Sequence, residues 1–61
     1  MPPHRYLMSR CIAVGAALIE RTDQALADIA LSVGFSDHSH FTRMFVRMMG
    51  ETPRSYRRRK R

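Results

Sequence analysis

The chain has 61 residues and a formal net charge of +6, with a sequence pI near 11.1. That length holds one domain with a thin core, and the single cysteine, Cys11, excludes an internal disulfide, so stability must come from helix packing, a partner or a longer parent protein. The charge points to a polyanionic partner, nucleic acid or an acidic membrane surface.

Pro2 and Pro3 stop any helix upstream, and Pro3 suits the first position of one. From there to about Arg21 the residues favour helix. Tyr6, Leu7, Cys11, Val14, Leu18 and Ile19 keep rough three- and four-residue spacing and are expected to form its apolar stripe. Cys11, on or near that stripe, is expected to be buried rather than reactive. Gly15 weakens the helix by about 1 kcal/mol relative to alanine. Close packing of a neighbouring helix is a physical reason for it.

Thr22, Asp23 and Gln24 form a polar break, with Asp23 as the expected N-cap of the next segment. Within Ala25–Val33, Leu26, Ile29, Ala30 and Val33 stand at i, i+3, i+4 and i+7, which is one helical face. Gly34 then ends the helix, because glycine takes the left-handed conformation without steric cost. After Phe35, either Ser36 or Asp37 can cap a new helix. Between His38 and Met49, Phe41, Phe45 and Met48 lie at i, i+4 and i+7, with Met44 and Met49 beside them as expected core filling. Ser39, His40, Arg43 and Arg47 occupy the opposite face. Gly50 ends this helix, and Thr52 caps a last short one with Pro53 in its first turn and Tyr56 facing inward.

The expected fold is all-α. No segment alternates in the manner of a strand. A P-x-x-Y pattern at Pro3–Tyr6 returns at Pro53–Tyr56, a hint of duplication. Arg54, Arg57, Arg58, Arg59, Lys60 and Arg61 crowd the C-terminal end, and such a run is either a solvated tail or a binding patch. No stretch approaches the roughly 20 apolar residues of a membrane span, and Cys11–Ile19 lacks a cleavage site after it. These features and the unpaired cysteine lead to the expectation of a cytoplasmic location without membrane contact.

Two short helices joined by a glycine turn fit the helix-turn-helix pattern, in which the second helix enters DNA. Its apolar side is fastened to the domain, so its polar side faces outward. Arginine binds guanine O6 and N7 with two hydrogen bonds, which makes Arg43 the foremost candidate for base readout. Ser39 and Thr42 are short and can contact phosphate or a base edge. His38 and His40 can bond to base acceptors or phosphates. Arg47 and the basic C-terminal residues, Arg54, Arg57 and Arg58 among them, would neutralise backbone phosphates. The two histidines are two residues apart and point about 200° from each other, so no metal site is expected. The carboxylates Glu20, Asp23, Asp28, Asp37 and Glu51 show no paired arrangement, so neither enzymatic chemistry nor a cofactor is expected.

Ile29-Ala30, Val33-Gly34-Phe35-Ser36-Asp37, Ser39-His40-Phe41-Thr42-Arg43-Met44-Phe45, Gly50, Thr52-Pro53 and Tyr56-Arg57 together resemble the C-terminal signature of the AraC/XylS family of bacterial transcription regulators. The resemblance spans about half of the chain with many fixed spacings. It implies a homeodomain-like three-helix unit at residues 22–56, preceded at 1–21 by a linker helix with the tail of a missing first helix-turn-helix at Pro3–Tyr6, and followed by a basic tail at 57–61. In the family, two helix-turn-helix units enter successive major-groove segments. The segment resembling the second recognition helix is about 37–49 here, and its DNA-facing positions fall on His38, Ser39, Thr42 and Arg43. Gly34, Phe35, Ile29, Ala30, Phe41, Phe45, Pro53 and Tyr56 fall on its turn and core. The resemblance implies double-stranded DNA as partner and RNA polymerase as a further one, with no small-molecule ligand in this part. Cys11 stands where an arginine is usual and Gly15 where alanine is usual. Ala25 stands where serine commonly caps, which leaves that role to Asp23. A folded remnant, or a small cationic module that binds nucleic acid non-specifically, is the competing expectation.

Overall fold

The computed structural model describes residues 3–60, with side chains from Leu7 to Lys60. The expectations for Pro2, for the Tyr6 side chain and for Arg61 lie outside the described residues. Four helices follow in order: α1 (Pro3–Arg21), α2 (Leu26–Ser32), α3 (His38–Met49) and α4 (Pro53–Lys60). None of these helices is long and apolar enough to cross a membrane.

Of the apolar stripe expected on α1, Ile19 reaches the core, while the other described members lie at its edge or outside it. Leu7 is 60% exposed and Val14 50% exposed, and Cys11 and Leu18 are half-buried. The residues that enter the core are Ile12, Ala16 and Ile19, with Gly15 buried between them. These follow helical spacing, and only Ile19 among them belongs to the expected set; Ile12 and Ala16 stand one position round the helix from it. A helix with two adjacent apolar stripes does not tell from its own sequence which one the fold covers. The close approach at Gly15 decides it. A β-carbon there would stand 3.0 Å from Cε1 of Phe41, so the helix can meet that ring only along its glycine.

Helix α2 contributes Ile29 and Ala30 to the core, with Leu26 and Val33 packed beside them. Asp23 does not cap it. The N-cap is Ala25, in extended conformation and without a side-chain hydrogen bond. Gln24 and Ala25 lie between Asp23 and the start of α2, so Asp23 does not stand at the N-cap position. Thr22 instead closes α1: its hydroxyl donates to the Leu18 carbonyl at 2.7 Å.

At the other end of α2 the chain reverses through Gly34, at φ +100°. The Phe35 N–H donates to the Ala30 carbonyl at 3.0 Å and the Gly34 N–H to the Leu31 carbonyl at 3.1 Å. This is the paired C-terminal closure that a left-handed residue permits, accompanied by burial of both Phe35 and Ala30.

Asp37 caps α3, its Oδ1 accepting from the His40 N–H at 2.7 Å. Phe41 and Phe45 are fully buried. Met48 and Met49, expected as core filling, are exposed instead, and only Met44 packs against the core. The physical reason lies in where α3 ends: the helix runs past the core's edge before Gly50 closes it at φ +82°.

Rings link the helices in sequence. Phe35 meets Phe41 edge-on at 5.3 Å, Phe41 meets Phe45 at 5.7 Å, and Phe45 meets Tyr56 edge-on at 5.4 Å. Such pairs stabilise by about 0.5–1.5 kcal/mol each beyond their burial. Thr52 caps α4 through the Ser55 N–H at 3.1 Å, and Pro53 and Tyr56 are buried as expected. Residues 57–60, expected as a tail, continue α4 as helix. One core therefore draws on all four helices: Ile12 and Ile19 of α1 are as deeply buried as Phe41 of α3.

Candidate nucleic-acid interface

With Phe41 and Phe45 fixed inward, the register of α3 determines what faces out. At 100° per residue, Ser39, Arg43, Val46 and Arg47 fall within an arc of about 100°, roughly opposite the two rings. All four are exposed. Thr42 flanks this arc and is half-buried. The arc is rigid at its base, because the buried rings hold the helix and the Asp37 and Gly50 caps close its ends.

Of the residues expected to read bases, the fold therefore groups Ser39, Thr42 and Arg43. His38 is exposed, but it stands at the first residue of α3, about 140° round the helix from Arg43. Of the expected phosphate contacts, Arg47 lies on the arc itself. His40 is half-buried, its ring edge-on to Phe35 at 5.1 Å. Arg54 and Arg58 are exposed on α4 and line a shallow depression with Thr52, Ser55 and Arg59.

Arg57, expected as a phosphate contact, makes contacts within the fold. Its Nε donates to the Ile19 carbonyl at 3.2 Å and its Nη2 to the Thr22 carbonyl at 3.1 Å. These carbonyls belong to the C-terminal end of α1, where backbone acceptors lack helical partners and the helix dipole favours a cation. Arg57 is thus turned inward as a staple between α4 and α1, with its remaining guanidinium donors left over. Arg59 is engaged as well. Its Nε and Nη2 both donate to Oε2 of Glu51, at 2.9 and 2.6 Å, while Ser55 donates to Oε1 at 2.9 Å. The hydrogen bond from Arg59 holds the Glu51 carboxyl below its ordinary value, and Glu51 in turn raises Arg59. Arg59 and Lys60 also lie over the Tyr56 ring, at 5.5 and 5.6 Å from its centroid.

Sequence reasoning did not single out Val46 or the inward role of Arg57. Val46 is readable in principle, since it follows Ser39 by seven residues and so shares its face. The Arg57 staple joins residues 38 and 35 positions apart in the chain, and nothing local announces it.

The chain matches the family described as "Helix-turn-helix domain" over residues 1–59. It is 33% identical over 57 residues to the HTH-type transcriptional regulator MtrA of Neisseria gonorrhoeae, covering 93% of this chain and 19% of that protein. It is 35% identical over 57 residues to the HTH-type transcriptional activator RhaS of Escherichia fergusonii, covering 93% of this chain and 20% of that one. The chain thus spans about a fifth of the length of these curated relatives. Among solved structures, it is similar to a transcriptional regulator from Chromobacterium violaceum described as an AraC-type DNA-binding domain-containing protein. The TM-score is 0.96 at 25% identity, over 98% of this chain and 54% of the other.

Proposed function

The chain belongs to the AraC-type helix-turn-helix family, and from that premise we propose that it is a sequence-specific DNA-binding module of a bacterial transcription regulator, with α3 seated in the major groove. Ser39, Thr42 and Arg43 are the base-reading residues, with His38 at the edge of the contact. Arg43 reads guanine through its two-pronged guanidinium. Arg47, Arg54 and Arg58 contact phosphates, and the polar tip of His40 adds to them. RNA polymerase belongs to the same reading, as the partner on which a DNA-bound regulator acts.

The observation that carries this reading is the arc on α3: short polar groups and arginines on a helix whose other side is locked by two fully buried rings. A base-reading helix needs both properties. The side chains must be small enough for the backbone to approach the groove, and the scaffold must hold them in register.

Selection of duplexes from a randomised library, at two salt concentrations, tests the proposal. The expected result is an enriched motif that Arg43→Ala no longer enriches, with affinity that falls as salt rises. Equal affinity for all sequences would contradict it and leave a non-specific cationic module.

A further inference from the structure

We propose that Val46 is a further base-reading side chain, and that the group it reads is the 5-methyl of thymine. This rests on the reading of α3 as the recognition helix. Val46 is 39% exposed on the outward arc of α3, one turn beyond Thr42 and Arg43 and next to Arg47. Ser39, Thr42, Arg43 and Val46 stand at i, i+3, i+4 and i+7. This is the spacing at which the third helix of a three-helix reader presents side chains to the bases in the major groove.

A single exposed valine on a protein surface needs no explanation in general. Its surroundings here are specific. Its neighbours on the arc are polar or cationic, whereas the core is closed from this helix by Phe41, Phe45 and Met44. The edges of the bases offer donors, acceptors and one apolar group, the thymine methyl. Valine neither donates nor accepts through its side chain, so the methyl is the one base feature it complements. It is also well prepared for the contact. A β-branched side chain in a helix is held in one strongly preferred rotamer, so little freedom is lost on binding. The backbone beneath it is fixed as well: the Val46 carbonyl accepts the Gly50 N–H at 2.9 Å, which closes the helix.

The test uses the 61-residue chain and the duplex it enriches from a randomised library. Each thymine of that duplex is replaced in turn by 2′-deoxyuridine, which removes the methyl and nothing else. At one position the wild-type chain is expected to lose affinity by about fourfold, the effect of one buried methyl-sized group. Val46→Ala is expected to lose about the same on the thymine duplex and to show no further loss on the uridine one. Alanine is the better helix former at an exposed site, so the melting temperature of this variant holds or rises. No sensitivity at any thymine, or equal sensitivity in both proteins, would overturn the proposal while leaving specific recognition by α3 intact. Failure to enrich any duplex would instead overturn the reading of α3, and this inference with it.

Discussion

Arg43 and Arg57 are the same residue type, and the sequence offers both to DNA. The fold separates them. Arg43 stands on the exposed arc of α3, while Arg57 donates to the Ile19 and Thr22 carbonyls at the end of α1. The first is free to be spent on a partner, and the second is spent on the domain. In a chain of +6 charge, a count of cations therefore overstates the binding surface. The open carbonyls at the end of α1 make Arg57 structural, as the Glu51 carboxylate does Arg59.

The contrast can be broken most severely from beneath. Phe41→Ala removes the ring on which Gly15 and the aromatic series depend, and is expected to cost about 3–5 kcal/mol. In so small a domain that abolishes the cooperative thermal transition followed by circular dichroism. A sharp melt in this variant would show that the core is not centred on α3. Arg57→Ala comes next. Two charge-assisted hydrogen bonds to part-buried carbonyls are lost, at about 1–3 kcal/mol in total, so its melting temperature drops. Measured well below that temperature, its DNA affinity stays near wild type. Loss of affinity without loss of stability would place Arg57 among the phosphate contacts after all.

Gly15→Ala sharpens the packing argument. The added methyl favours the helix by about 1 kcal/mol, but it meets a fully buried ring at 3.0 Å that has little room to yield. Overpacking of this kind typically costs about 1–3 kcal/mol, so a modest net destabilisation is expected by thermal melt. A more stable variant would mean that the ring relaxes. Arg47→Ala is expected to leave stability unchanged and to lower the slope of log affinity against log salt by about one, read from titrations at several salt concentrations. Smallest is Glu51→Gln. The carboxyl lies below its ordinary value in the fold, so its pairing with Arg59 favours folding at neutral pH and ceases to as pH falls through that lowered value. The variant should melt slightly below wild type at pH 7 and indistinguishably from it in strong acid. A gap that persists in acid would assign the effect to something other than ionisation.

The helices, both glycine closures and the core of α3 were legible in the sequence because each is dictated locally. Gly34 and Gly50 are followed or preceded by capping residues, and Phe41 and Phe45 keep a strict four-residue interval. The buried face of α1 was legible only at Ile19, since Leu7, Cys11, Val14 and Leu18 form as good a stripe with it as Ile12 and Ala16 do. Only the docking of Phe41 on Gly15 selects between them. Nor was the N-cap of α2 legible; it falls on Ala25 and not on Asp23. At the proposed interface, Ser39, Arg43 and Arg47 were nameable from periodicity, and Thr42 from its short side chain and the family resemblance. The division of α4 between surface and staple was not, because it depends on where α1 ends in space.

In the proposed reading Arg43 serves DNA and not the fold. The direct test is fluorescence anisotropy with the enriched duplex, run beside thermal melts, for wild type and Arg43→Ala. The expected result for Arg43→Ala is an affinity loss of about 1–3 kcal/mol at an unchanged melting temperature. Unchanged affinity, or a loss that appears only as the protein unfolds, would contradict it.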